Sequence, residues 1–170
     1  MWAVAMINYL KTVLTGQFEA SLCMLGGCVR KCPAEHWEGK VGNGTFRQVA
    51  YHTLYFVDLY LSPGPRALEP REFHRRGGSR RIGADPGGGL SQAETLAYLA
   101  VCRRKAVETL AAETLESLQG PSGFSKLRFS RGELHVYNIR HVQHHTGQLS
   151  AYLRRVADDG KGSWVKSGWR

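Results

Sequence analysis

Three of the chain's seven histidines lie close together near its C-terminal end, at positions 141, 144 and 145. If this segment is helical, His141 and His145 lie about 40° apart around the helix axis, and His144 lies about 60° from His141 on the other side. Side chains four residues apart on a helix are neighbours, so two such imidazoles can hold one metal ion. The spacing therefore predicts His141 and His145 as metal ligands and places His144 at the edge of their face.

A third ligand is expected from a facing helix, and His52 is the candidate. It lies among apolar neighbours in residues 46–56. An unpaired histidine buried there must remain neutral and still satisfy a ring nitrogen. Taken alone, His52 fits a hydrogen-bonded core histidine better, but together with the other pair it predicts a three-histidine site. Three protein ligands leave positions open for water or substrate, which is typical of a catalytic metal.

These histidines need helices to position them, and the apolar periodicity predicts four. The first is expected to end before Gly26-Gly27, the second to begin at Thr45 as N-cap and end before Pro63, and the third to begin with a capping box at Ser91. The predicted segments cover about residues 3–24, 45–61, 91–118 and 131–156.

The expected fold is all-α: a four-helix bundle forming a single domain over residues 1–170. The Gly/Pro-rich residues 62–90 would form a long crossover between the second and third helices. The last helix should end before residues 158–162, and a tryptophan-containing tail closes the chain. Residues 127–130 are the only candidate strand.

Composition limits the function classes. The chain has 170 residues, 42% of them hydrophobic, which can supply one core, and its net charge of +9 favours acidic partners such as nucleic acid, anionic lipid or a small anion. It has no apolar run of membrane-spanning length, no signal-peptide pattern and only four cysteines. These features predict a soluble, cytoplasmic domain with no membrane partner. Nucleic acid is not expected either, because no helix-turn-helix, zinc-finger or RNA-binding pattern is present.

Cys28, Cys32 and His36 are spaced four apart and form a second metal-ligand pattern. Pro33 and the Gly26-Gly27 pair argue against one continuous helix through the segment, so buried or incidental thiols are the favoured interpretation.

The crossover contains an arginine-rich stretch at residues 66–81, with six arginines and two glutamates. A solvated, flexible connection is the favoured interpretation, and an anion-binding or nucleic-acid-contacting loop is the alternative.

The pattern resembles the DinB/YfiT-like superfamily of bacterial four-helix-bundle metal proteins. One histidine, His52, falls in the second helix, and His-x-x-x-His-x-Gly-Gln-Leu occupies residues 141–149 of the last helix. The resemblance extends to the helix order, the crossover, Trp37 before the second helix and the tail. It implies His52, His141 and His145 as the ligands of a divalent metal ion, with zinc or nickel favoured over iron, manganese or copper. A homodimer is also consistent with it.

The resemblance further implies thiol-dependent chemistry, in which a metal-bound low-molecular-weight thiol attacks a small electrophile. By this analogy the crossover could fold over the site and hold the cofactor's carboxylates through one of its arginines, and Tyr55 and Tyr137 are nearby polar candidates. The arginines considered are Arg66, Arg71, Arg75 and Arg76.

Three other interpretations remain open at this stage. The first is a metal-dependent hydrolase, which lacks an obvious general base because Glu133 falls on another face of the helix. The second is a non-enzymatic, stress-associated protein that binds metal or nucleic acid. The third is a metal-free bundle in which hydrogen bonds satisfy all three histidines.

Overall fold

The computed structural model describes residues 2–84, 88–157 and 164–169, and these residues form helices with one two-stranded hairpin. The hairpin pairs β1 (Lys40–Val41) with β2 (Gly44–Thr45) in antiparallel register. The helices are α1 (Trp2–Lys31), α2 (Phe46–Leu61), α3 (Glu72–Arg76), α4 (Gln92–Ala112), α5 (Leu115–Gln119) and α6 (Arg131–Val156).

The four long helices form the predicted all-α bundle. α1 packs against α4 and α6, and α2 packs against the same two helices, so the order around the bundle is α1–α4–α2–α6. Fully buried side chains from all four helices fill the centre, among them Leu22, Leu54, Leu110 and Leu149. In the described part of the chain, every helix is too short or too polar to cross a bilayer.

The bounds of α2 and α6 confirm the sequence prediction. Thr45 caps α2: its hydroxyl accepts from the amide of Gln48, and the Gln48 side chain accepts from the amide of Thr45. Ser130 caps α6 by accepting from the amide of Glu133. Residues 158–162, before which the last helix was predicted to end, lie outside the described residues.

The predicted end of the first helix before Gly26-Gly27 is wrong, because α1 continues to Lys31. A Cβ on Gly26 would lie only 3.3 Å from Leu99 Cδ1 of α4. The glycine therefore allows α1 and α4 to approach closely, and this packing outweighs its weak helix propensity.

The third helix is also shorter than predicted. α4 ends at Ala112, and Glu113 adopts an extended backbone so that its carboxylate turns inward to Arg131 and His135. Thr114 then caps the separate helix α5.

The candidate strand at residues 127–130 is not a strand, since only one isolated bridge joins Ser130 to Pro121. The hairpin at residues 40–45 was not predicted, because the glycine-rich segment has no alternating apolar pattern.

The crossover is anchored to the bundle through Asp58 of α2, whose side chain is fully buried. Arg71 and His74 from the crossover donate to Asp58 Oδ2 at 2.9 and 3.2 Å, and Lys105 of α4 donates to Oδ1 at 2.6 Å. Tyr98 of α4 adds a fourth donor at 3.1 Å. We call these five residues the Asp58 cluster. It holds the start of the crossover, including α3, against α2 and α4.

Candidate metal centre

α2 and α6 bring the three predicted histidines together. His52 projects from α2 towards α6, where His141 and His145 are one turn apart. One ligand atom from each of the three lies within 4.8 Å of the others, and the Nε2 atoms of His52 and His141 are 3.3 Å apart. His145 is buried, with 7% of its surface exposed, whereas the other two are half-buried. We call these three residues the histidine group.

The outer ring nitrogens fix the orientation of two of these imidazoles. His52 Nδ1 donates to the carbonyl oxygen of Arg80 at 2.6 Å, and His145 Nδ1 donates to Oε1 of Gln148 at 2.8 Å. A neutral imidazole that donates through Nδ1 keeps a lone pair on Nε2. Both Nε2 lone pairs are therefore available where the rings meet. Nδ1 of His141 is buried and has no hydrogen-bond partner within the described ranges.

The environment keeps all three imidazoles neutral. Burial lowers the pKa of His141 to about 3, with further lowering by His145 and His52. Burial also lowers the pKa of His145 to about 4, against the opposing effect of its hydrogen bond to Gln148. The pKa of His52 is lowered by burial as well, partly offset by the carbonyl of Arg80. Neutral imidazoles are the form that binds metal ions.

The spacing of these nitrogens fits one shared ion. Two ligands bound tetrahedrally at metal–nitrogen distances of about 2.0–2.1 Å lie about 3.3 Å from each other. The Nε2 atoms of His52 and His141 have this separation. Three imidazoles are a donor set that suits zinc, nickel, iron or copper, and the group includes no carboxylate.

The comparison with known families agrees with this arrangement. The family model of the DinB superfamily matches residues 24–149. The chain belongs to the DinB superfamily. The match begins within α1, ends within α6 and includes all three histidines. No curated protein and no solved structure matches the chain significantly.

His144 lies beside the histidine group of this DinB-superfamily chain but points outward. It is exposed, and its ring touches the ring of His145 edge-on at a centroid distance of 4.9 Å. The three mutually close ligand atoms do not include it, as the helical positions predicted.

Of the four crossover arginines considered for cofactor binding, Arg71, Arg75 and Arg76 lie beside carboxylates outside the histidine group, and Arg66 is exposed. Arg71 pairs with Asp58 and Glu69, whereas the exposed Arg75 lies near Glu72. Arg76 pairs with Glu94 of α4. The arginine that reaches the site is Arg80, which sequence reasoning missed: besides accepting from His52, it donates to the hydroxyl of Tyr55 at 3.2 Å.

Gln148 belongs to the motif that carries the resemblance, but sequence reasoning gave it no role at the site. Its position three residues after His145 is a readable signal, because side chains at that spacing lie on one helix face. The contact of the Arg80 carbonyl with His52 has no such signal, since it spans 28 residues and depends on the path of the crossover.

The cysteine pattern does not form a metal group within the part of the chain that the structure describes. Cys28 and Cys32 are buried in the core, and Nδ1 of His36 lies 3.0 Å from the hydroxyl of Tyr152. The preferred interpretation of these cysteines as buried thiols agrees with this placement.

Proposed function

We propose that the protein holds one divalent metal ion through His52, His141 and His145, and that it catalyses transfer of a small-molecule thiol to a small electrophile. The metal site is supported by the geometry of the histidine group and by membership of the DinB superfamily. The thiol chemistry is supported by the resemblance to the superfamily's thiol-dependent branches and by the state of the chain's own cysteines.

The observation that carries the metal site is the fixed orientation of two imidazoles. Because His52 and His145 each donate through Nδ1, their Nε2 lone pairs converge with His141 and repel unless a cation or proton lies between them. In a metal-free alternative, His141 donates from Nε2 to His52 at 3.3 Å. That hydrogen bond would satisfy only two of the three inner nitrogens, whereas one metal ion can bind the lone pairs of all three.

The bound ion would lower the pKa of a coordinated thiol and so supply a thiolate at neutral pH. In the transfer, a carbon–sulfur bond forms while the bond to the leaving group breaks, and the leaving group departs with its electron pair. The protein's part is to hold the imidazoles of His52 and His145 in one tautomer through Arg80 and Gln148, and to keep all three imidazoles neutral by burial.

The thiol is expected to come from outside the chain. All four cysteines are buried. Burial raises the pKa of Cys28 to about 11 and that of Cys32 to about 12, and it raises the pKa of Cys102 as well. Buried, protonated thiols are poor nucleophiles, so a cosubstrate thiol fits the chemistry better.

Hydrolysis by metal-activated water has weaker support, because it needs a nearby general base. The histidine group contains no carboxylate. The buried carboxylates of Asp58 and Glu113 are already paired with cations in other parts of the bundle.

The first test is elemental analysis of tag-free protein purified without chelator, beside His52→Ala and the control His144→Ala. We expect about one metal ion per chain in the wild type and in the control, and loss of that ion in His52→Ala. A protein that stays metal-free even after incubation with zinc and nickel would contradict the proposal.

The thiol chemistry needs a separate readout. Cobalt-substituted protein is titrated with cysteine or glutathione, and a new thiolate-to-cobalt absorption band is expected in the near ultraviolet. The same protein should then consume a chlorodinitrobenzene in the presence of the thiol, with release of chloride. A protein that binds cobalt but shows no band with either thiol would retain the metal site and refute the thiol step.

A further inference from the structure

Half-buried aromatic side chains form a continuous band that leads away from the histidine group. The ring of Tyr60 lies at centroid distances of 5.3 Å from Phe56, 5.4 Å from Phe124 and 5.7 Å from Tyr137. Phe129 extends the band beyond Tyr137 at 5.7 Å. At the other end, the ring of Phe56 lies 5.6 Å from that of His141. We call these five residues the aromatic band: Phe56, Tyr60, Phe124, Phe129 and Tyr137.

The band differs from the aromatic residues that build the core. Phe18, Phe46, Tyr51 and Tyr98 are at most 1% exposed, whereas each member of the band keeps part of its ring accessible. Its members come from α2, from the loop before α6 and from α6 itself. Single exposed apolar side chains are common, but a contiguous accessible patch beside a polar group is typical of a ligand site.

A cation lies next to the band. Arg140 is exposed and directly precedes His141, and within the described ranges its guanidinium has no hydrogen bond or ion pair. A cleft of about 570 Å³ is lined by Tyr137, Arg140, His141, Gln143 and His144. None of these lining residues is acidic, and Tyr137 is the member of the aromatic band that lines the cleft, so the cleft combines an aromatic ring with positive charge.

We infer that this cleft binds an aromatic carboxylate, with its ring against Tyr137, where the aromatic band meets the cleft, and its carboxylate on Arg140. A planar guanidinium pairs with a carboxylate through two parallel hydrogen bonds, and aromatic rings stack well on one another. The inference names the substrate class of the proposed enzyme and so rests on the proposed function, because His141 borders both the cleft and the histidine group.

The test measures binding of small probes to the metal-loaded protein by calorimetry, and to the chelator-treated protein as well. The probes are benzoate, its uncharged analogue benzamide and its saturated analogue cyclohexanecarboxylate. We expect benzoate to bind at least about fivefold more tightly than either analogue, because only benzoate offers both the ring and the charge.

Two variants separate the parts of the site. Arg140→Gln should weaken benzoate at least about fivefold and leave benzamide unchanged, whereas Tyr137→Leu should weaken both probes. The matched control is Arg155→Gln, which removes the same charge from an exposed position on α6 outside the cleft. It should leave benzoate binding unchanged, and thermal melts confirm that each variant is folded.

Equal weakening of benzoate by Arg140→Gln and Arg155→Gln would overturn the inference, because it would show attraction by net charge alone. Equal affinity for benzoate and cyclohexanecarboxylate would also overturn it. Metal content distinguishes this inference from the proposed function. Benzoate binding that depends on Arg140, in a protein that takes up neither zinc nor nickel, would keep the cleft and refute the metal site. A protein that binds metal but does not bind benzoate would keep the metal site and refute the cleft.

Discussion

Two polar groups lie on different faces of α2, one towards α4 and one towards α6, and differ in how their hydrogen bonds are satisfied. In the Asp58 cluster, one carboxylate accepts from Arg71, His74, Tyr98 and Lys105, so acceptors and donors match within the protein. In the histidine group, two fixed imidazoles direct lone pairs at the same point, and no protein donor is shared among all three.

This difference distinguishes a polar group that belongs to the fold from one that is suited to bind a ligand. A buried charge whose partners all come from the chain is satisfied within the fold and needs no ligand. Acceptor nitrogens that face one another without a donor are tolerated in a folded protein where a bound ligand satisfies them. The crossover contributes to both groups. Its Arg71 and His74 donate to Asp58, whereas its Arg80 carbonyl accepts from His52.

The largest effect is expected from removing a ligand of the histidine group. His141→Ala or His145→Ala should abolish stoichiometric metal binding, because two imidazoles hold an ion far less tightly than three. His144→Ala, in the same helix, should retain most of it. Elemental analysis after dialysis measures both, and an equal loss in all three variants would show that His144 belongs to the site.

The next largest effect is expected from the Asp58 cluster. Asp58→Ala leaves Arg71, His74 and Lys105 without their buried acceptor and should lower the free energy of unfolding by about 3–5 kcal/mol. In metal-free protein, His52→Ala should change it by less than about 1.5 kcal/mol, since it removes converging lone pairs and a half-buried ring. Urea denaturation compares the two, and equal losses would refute the distinction between the groups.

A smaller effect is expected from the outer contact of His145. Gln148→Ala removes the acceptor that fixes Nδ1, and it should weaken metal binding by about 10–100-fold without changing the stoichiometry at saturating metal. Competition with a chromogenic chelator measures this. Gln148→Glu offers an acceptor of similar length and should restore most of the affinity; if it does not, Gln148 acts through packing.

The smallest effect concerns acid sensitivity and uses Glu113, a second internally satisfied carboxylate. Hydrogen bonds from His135, Ser117 and Arg131 outweigh burial and lower the pKa of Glu113 from 4.5 to about 2. A depressed folded-state pKa stabilises the protein above pH 4.5, and this contribution is lost as the pH falls towards 2. Glu113→Gln should therefore flatten the dependence of stability on pH in that window, as measured by urea denaturation at several pH values. An unchanged slope would show that other carboxylates control it.

The helix pattern and the histidine spacing were readable from the sequence because both depend on local periodicity. The two i,i+4 histidines and the N-caps Thr45 and Ser130 act within one helix, so their geometry follows from about 100° per residue. The errors arose where tertiary contacts outweighed local preference: Gly26 packs against Leu99 rather than ending α1, and Glu113 turns inward to Arg131 rather than continuing α4.

The sequence by itself determined the bundle, the face shared by His141 and His145, and the candidacy of His52. Only the tertiary structure decided that His52 meets that pair, that the Arg80 carbonyl orients it, and that aromatic side chains from three segments form one band beside Arg140. The physical reason is that helical periodicity fixes direction around one axis. The distance between side chains on different helices depends on how the whole core packs and where the crossover docks.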